Sequence, residues 1–317
     1  MNMKKILSVV LMTMCVMFLS VNEVNAQVPY LVLNNGVRMP QFGLGTYGIP
    51  NNDIAKDAVS FAIKNGYRHI DTAHAYFDEK GVGEGVKNSG VDRDSVWITS
   101  KLWPSDYTNA NPDAAIDRML KRLDTDHIDL LYIHQPVGDV KAAWHAMVRA
   151  YKAGKVRALG ISNFDYDDPR CEALFRWFVD SAEMRPQVMQ IECNPYAQRL
   201  DMREKIQKYN IQLECWFPLG GAMSNGALFR DPVIKKIAAD HHKTPAQVII
   251  RWHLQEGFSV IPGATDHGYI KENISVFDFA LSQYEMGEIR ALNKEDRFFK
   301  STMETTERMC NQFKLND

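Results

Sequence analysis

Short β-branched runs ending in a polar residue recur along this chain, separated by stretches whose apolar residues fall at helical spacing. The runs at residues 41–46, 68–71, 96–100, 128–133, 156–160, 188–191, 211–215 and 259–261 read as strands, and 52–65, 112–123 and 141–153 read as helices between them. In residues 52–65, Ile54, Ala58, Phe61 and Ala62 mark one face, and Gly66 is a normal helix stop. Strands alternating with helices of about ten or more residues predict parallel pairing through right-handed crossovers. Eight such units favour a closed (β/α)8 barrel of the TIM type. A doubly wound open sheet gives a similar alternation, but no GxGxxG turn follows the first strand. Ahead of the barrel, residues 30–33 and 37–39 flank Asn34-Asn35-Gly36, which predicts a β-hairpin lid over the barrel floor. Two connections exceed a minimal loop: the Gly-rich residues 218–231, and the tail 293–317 with Phe298 and Phe299. Long loops in compact domains tend to be functional, so the first is expected to close over a cofactor and the second to line a substrate cleft.

Composition narrows this picture. A chain of 317 residues with 45% hydrophobic and 24% charged residues suits one barrel-sized domain, residues 27–317. A formal net charge of −2 leaves no basic footprint for nucleic acid or an anionic membrane surface. At the N-terminus, Lys4 and Lys5 precede an apolar run at residues 6–19 and a stretch ending Val24-Asn25-Ala26, the pattern of a secretory signal over residues 1–26. The run is shorter than the about 20 residues that cross a bilayer, so the expectation is cleavage after Ala26 and a periplasmic or secreted protein. Cys171, Cys193, Cys215 and Cys310 are widely spaced, and no CxxC or HExxH occurs, so no metal site is expected. A monomer is the default.

The polar residues at the run ends carry the chemistry. Asp71 and Tyr76 lie in GYRHIDTAHAY, Lys101 closes VWITSK, His134 closes IDLLYIH, Ser162 and Asn163 close VRALGISN, and Gln190 sits in QVMQIE. In an α/β barrel the C-terminal strand ends converge on one face. Taken singly, Asp71 suits a helix cap, Lys101 a solvated cation and His134 a satisfied histidine at a strand end. Together they suggest a phenol near an ammonium that pulls its pKa down, a carboxylate that keeps the lysine charged, and an imidazole for a substrate oxygen. Such a donor suits proton delivery to a developing alkoxide, as in carbonyl reduction. Ser162 has no base beside it, so no nucleophile is evident. A barrel hydrolase would need paired carboxylates from Asp71, Glu192 and Glu214.

The segments GYRHIDTAHAY, ITSKLW, LYIHQP, VRALGISNF, MQIECNPY, PLGG and VIPG…KEN resemble, in order and spacing, the aldo-keto reductases. The resemblance implies the (α/β)8 barrel and a nicotinamide-dependent carbonyl reductase acting on a small-molecule carbonyl. Asp71, Tyr76, Lys101 and His134 match that family's catalytic tetrad. Ser162, Asn163 and Gln190 match residues holding the nicotinamide carboxamide, Trp216 matches the aromatic stacked on its ring, Leu219 and Gly220 belong to the coenzyme loop, and Glu272 and Asn273 match adenine contacts. Where many members carry Lys-Ser and then Arg around the 2′-phosphate of NADP, this chain has Gly263, Ala264 and Tyr269, so NADP(H) and NAD(H) both stand as coenzymes. Gln135 replaces a Trp of the substrate pocket, alongside Tyr47 and Trp103, whereas Trp144 suits the core. The altered clamp and the expected export keep open a second reading, a nucleotide-binding or sensing barrel with little turnover.

Overall fold

The computed structural model describes residues 28–108 and 110–315, so the segment read as a secretory signal lies outside the described residues. Strands β1 (Tyr30–Val32) and β2 (Arg38–Pro40) pair antiparallel, with Leu31 opposite Met39. Eight parallel strands follow: β3 (Leu44–Gly45), β4 (His69–Asp71), β5 (Trp97–Leu102), β6 (Ile128–Ile133), β7 (Val156–Ser162), β8 (Val188–Glu192), β9 (Gln212–Trp216) and β10 (Ser259–Val260). Bridges Phe42↔Val260 and Gly45↔Gly263 join the last strand to the first and close the (β/α)8 barrel.

The hairpin closes the floor as predicted. Leu33 and Met39 bury against Trp97, Leu130, Tyr132, Ala158 and Val188 inside the barrel. Asn34 and Asn35 donate through Nδ2 to Pro186 O and Arg157 O at 3.0 and 3.1 Å. Trp144 is fully buried, and its Nε1 donates to Met184 O at 3.0 Å.

Every residue of β4, β5, β6 and β8 is buried, because helices cover the outer face and side chains fill the interior. Helix α1 (Asn52–Lys64) starts at Asn51, whose side chain accepts from Ile54 N. Helix α2 (Glu79–Ser89) approaches α1 and the end of the helix Pro112–Leu123 through glycines that the periodicity did not reveal as special. A Cβ on Gly81 would lie 2.2 Å from Asn52 O, and one on Gly83 would lie 2.2 Å from Leu123 O. Both obstacles are backbone, so no side-chain rotation relieves them.

The tail departs from the irregular segment expected. It carries a helix, Met303–Gln312, started by a capping box in which Thr302 and Thr305 satisfy each other's backbone N–H. This box uses Thr at its third position, so its signal in sequence is weak.

The glycine contacts set a test. Alanine improves helix propensity by about 1 kcal/mol over glycine, whereas overpacking costs about 1–3 kcal/mol or more. With a backbone atom 2.2 Å away, the clash wins at Gly81. Gly81→Ala is expected to destabilise the protein by about 2 kcal/mol, read as a lower denaturant midpoint at unchanged slope. Equal or greater stability would show that α1 and α2 separate freely.

Candidate active site

The barrel brings four predicted residues from different elements to one mouth. Asp71 ends β4, Lys101 lies near the end of β5, and His134 follows β6. Tyr76 closes a single helical turn after β4. Lys101 Nζ donates to Asp71 Oδ1 at 2.5 Å, to Thr72 O at 3.0 Å and to Tyr76 Oη at 3.3 Å. The His134 ring stands edge-on to Tyr76 and to Trp103, with centroids 5.6 and 5.1 Å away.

Burial governs the charges. Lys101 is fully buried, and these three acceptors stand where water would otherwise solvate its ammonium. Burial holds the His134 imidazole well below its usual pKa, and the Lys101 charge adds to the effect, so the ring is neutral at physiological pH. The Tyr76 phenol differs from the sequence-based expectation. Burial, followed by the carboxyls of Asp71 and Asp78 and by Tyr47, pushes it well above the usual range. The resting group is therefore a protonated phenol, the form a proton donor requires.

The candidate coenzyme residues divide. Ser162 Oγ is buried at the end of β7 without a hydrogen-bond partner. Asn163, in the left-handed region at φ 66°, has both polar side-chain atoms engaged: Nδ2 donates to His134 O at 3.0 Å, and Oδ1 accepts from Trp216 Nε1 at 3.1 Å. Asn163 thus ties the imidazole strand to the half-buried Trp216. Gln190 directs Nε2 to Asp71 Oδ2 and Glu214 Oε1. Gly220 adopts φ 82°, and a Cβ there would strike Ser224 and Phe298. Glu272 accepts from Thr244 Oγ1 at 2.7 Å, and Asn273 is buried beside it. Leu219 packs partly buried against the main core.

Around the mouth, Tyr47 is largely exposed and lies against Tyr76 and Phe217. Trp103 is fixed by Asp106, which accepts from its backbone N, and by Phe313 O, which accepts from its Nε1 at 2.8 Å. Gln135 Oε1 is buried without a partner. Glu192 receives the backbone N–H groups of Phe298 and Phe299 at 2.7 and 3.1 Å, which seats the tail on the barrel rim. Sequence reading missed Asp78 and the tail latch at Glu192. It considered Glu214 only as a hydrolase candidate, although a carboxyl inside a doubly buried strand was itself a signal. Asp71 and Glu214 share one amide of Gln190, and Glu192 is committed to the tail, so no carboxyl pair serves a hydrolase.

Cys171, Cys193, Cys215 and Cys310 are free and buried. Cys193, Cys215 and His253 form one cluster of potential metal ligands among the described residues, which the spacing did not foretell. The His253 Nδ1 and Nε2 lie 2.8 and 3.0 Å from Ile249 O and Cys193 O, so backbone carbonyls occupy both ring nitrogens.

The family model of the Aldo/keto reductase family matches residues 41–294. The chain is 44% identical over 266 residues to a glyoxal reductase of Bacillus subtilis, covering 84% of this chain and 93% of that protein. It is 37% identical over 268 residues to the methylglyoxal reductase DkgA of Escherichia coli, covering 84% and 94%. An aldo-keto reductase of Bombyx mori solved in complex with NADP superposes with a TM-score of 0.78 at 31% identity, covering 86% of this chain and 95% of that one. The signal-peptide and periplasmic assignment is corrected here. The family match begins at residue 41, beyond that segment, and no described helix is long and apolar enough to cross a membrane, so neither finding supports it.

Asp78 supplies a test of the electrostatics. It is fully buried, Thr72 Oγ1 donates to its Oδ1 at 2.5 Å, and burial pushes its carboxyl up to about 6 from 3.8. A carboxyl whose folded pKa is raised binds its proton more tightly when folded. Its penalty is therefore absent below about pH 4, grows as pH rises, and is complete above about pH 6, where it reaches at most about 3 kcal/mol. Asp78→Asn is expected to raise the melting temperature at pH 8 and leave it nearly unchanged at pH 4. The same gain at both pH values would show that ionisation of Asp78 carries no cost.

Proposed function

The chain belongs to the aldo/keto reductase family and is an NAD(P)H-dependent oxidoreductase; we propose that it reduces a small aldehyde or ketone to the alcohol with Tyr76 as proton donor. The observation that carries this reading is the fully buried Lys101 Nζ, bonded at once to Asp71 and to the Tyr76 hydroxyl. The residues present fit a nicotinamide. Ser162 Oγ, buried and unpartnered, suits a carboxamide, Trp216 offers a ring held by Asn163, and the Gln190 amide is oriented by two carboxyls. When bound, the reduced nicotinamide supplies hydride to the carbonyl carbon.

The remaining steps belong to this chain's own groups. Tyr76 gives its phenolic proton to the carbonyl oxygen as negative charge develops there. Lys101 stands 3.3 Å from the phenol oxygen and stabilises the phenolate left behind. Asp71 and Thr72 O hold the ammonium in place, and the neutral His134 donates an N–H to the substrate oxygen. Relatives named glyoxal and methylglyoxal reductases make α-oxoaldehydes the first substrates to try, and the unpartnered Gln135 Oε1 suits a polar compound. The reading as a sensing barrel without turnover finds no support, since the set of groups that proton delivery requires is complete.

Coenzyme choice turns on the opposite end of the cleft. Gly263 and Tyr269 are exposed and provide no cation. The two nearby cationic candidates are already engaged: His267 stacks on Phe61 with centroids 3.7 Å apart and bonds Asp57 at 2.8 Å, while Lys271 lies over the Phe61 ring at 5.4 Å. Each charge-assisted bond to a 2′-phosphate is worth about 1.5–3 kcal/mol, so losing two removes most discrimination.

Two measurements test these statements. Tyr76→Phe keeps the ring and removes the donor, so turnover of methylglyoxal should fall about 10²-fold or more with coenzyme affinity nearly unchanged. Near-normal turnover would remove Tyr76 from the role. Titration by tryptophan quenching should give NADPH and NADH affinities within about tenfold of each other. A preference for NADPH beyond about a hundredfold would mean that other residues replace the clamp.

A further inference from the structure

Behind the catalytic mouth, a file of polar side chains runs down the barrel interior to Glu214. Glu214 sits mid-strand on β9, fully buried, in register with Gln190 on β8 and Ser259 on β10. Its Oε1 accepts from Gln190 Nε2 at 2.8 Å and from Tyr132 Oη at 3.0 Å, and its Oε2 accepts from Ser259 Oγ at 2.8 Å. The same Gln190 Nε2 donates to Asp71 Oδ2 at 2.7 Å. An amide has two hydrogens, so Glu214 and Asp71 consume both and fix the orientation of the whole group. The other oxygen of Asp71 takes Lys101, which reaches Tyr76.

The charges along this file do not balance unless one carboxyl is neutral. Facing Glu214 are His69 and Asp71 from β4, Lys101 from β5 and Tyr132 from β6, with Gln190 and Ser259 at its sides. His69 lies 3.7 Å away and is held neutral, burial pulling it down to about 4. Tyr132 is held in its phenol form by burial and by Glu214 itself. One ammonium thus serves two fully buried carboxyls, both raised by burial, and it sits 2.5 Å from Asp71. Two carboxylates cannot both stay ionised in a dry interior with a single cation. A proton on Glu214 Oε2 relieves the excess charge and reverses the Ser259 contact, so that the Glu214 hydroxyl donates and Ser259 Oγ accepts.

We propose that Glu214 is a positioning residue of the reductase: as a neutral acid it fixes Gln190, and through Gln190 it holds Asp71 as the carboxylate bonded to Lys101 beneath Tyr76. Ionisation of Glu214 as pH rises puts a second negative charge into the file. That charge makes the Tyr76 phenol a weaker acid and draws Lys101 away from it. Activity of the wild-type protein therefore declines on the alkaline side through Glu214, before Tyr76 itself ionises. The inference rests on Tyr76 being the acid.

The experiment measures kcat and KM from pH 5 to 10 for the full chain, with methylglyoxal and saturating NADPH as probes, in wild type, Glu214→Gln, Glu214→Leu and Tyr76→Phe. Glu214→Leu leaves Gln190 and Tyr132 without their acceptor, and its kcat should drop about tenfold or more with a smaller change in KM. Glu214→Gln keeps an acceptor and a donor but cannot ionise. It should recover most of that loss and move the alkaline decline up by about one pH unit or more. Infrared spectra of the folded proteins supply a measure independent of turnover, since the carbonyl band of a buried protonated carboxyl should be present in wild type and missing from Glu214→Gln. An unchanged alkaline decline in Glu214→Gln, wild-type kcat in Glu214→Leu, or identical infrared bands would overturn the role of Glu214 while leaving Tyr76 in place. Near-normal turnover in Tyr76→Phe would overturn the reading of the acid and this inference with it.

Discussion

The site depends on one constraint, the burial of the Lys101 ammonium. A lysine without solvent exposure keeps its charge only where acceptors replace water, and this one has the Asp71 carboxylate, the Thr72 carbonyl and the Tyr76 hydroxyl. The first two of those acceptors are held by the sheet backbone. Asp71 pairs in register with Thr99 across β4 and β5, while Thr72 N donates to Thr99 O at 2.9 Å. The ammonium is thus located by the sheet rather than by a loop, which favours the small positional tolerance that proton transfer needs. The same burial that endangers the lysine makes His134 neutral and Tyr76 a phenol, so one desolvated space sets three protonation states.

Much of this was legible in the sequence. Asp71, Lys101, His134 and Ser162 end β-branched runs, and a closed parallel barrel necessarily gathers such ends, so their convergence followed from period and order. The strand of residues 128–133 and the helix of 112–123 have the bounds the pattern predicted. The first barrel strand was read as residues 41–46 but pairs regularly only at Leu44–Gly45, because it meets its neighbour β10 through isolated bridges at the seam.

What was not legible are relations across the barrel. Nothing local announces that one Gln190 amide spans Asp71 and Glu214, residues 119 and 24 positions away. Asp78 drew no notice in the sequence, yet the fold places it without exposure, with Thr72 Oγ1 donating to its carboxyl. The expectation that a nearby ammonium would lower the Tyr76 pKa failed for the same reason. It counted the cation and omitted the desolvation and the two carboxyls that outweigh it.

These relations divide the site into a buried polar interior and an aromatic rim. Below the half-buried Tyr76, the interior file from Lys101 to Glu214 is buried and hydrogen-bonded throughout, so a change there alters charge states before it alters shape. The rim is built otherwise. Phe299 stands edge-on to Trp216, Phe313 O holds Trp103, and Phe217 keeps a left-handed backbone at φ 47° against Tyr47. A non-glycine residue held there costs about 1–3 kcal/mol and persists only when its surroundings impose it. The tail supplies two of these aromatic rings and is anchored by the backbone N–H groups of Phe298 and Phe299 on Glu192, by Trp103 Nε1 on Phe313 O and by Thr306 Oγ1 on Tyr166. Substitutions in the tail therefore reshape the rim without reaching the ammonium, so under the proposed function the range of carbonyls accepted can change while the buried groups stay the same.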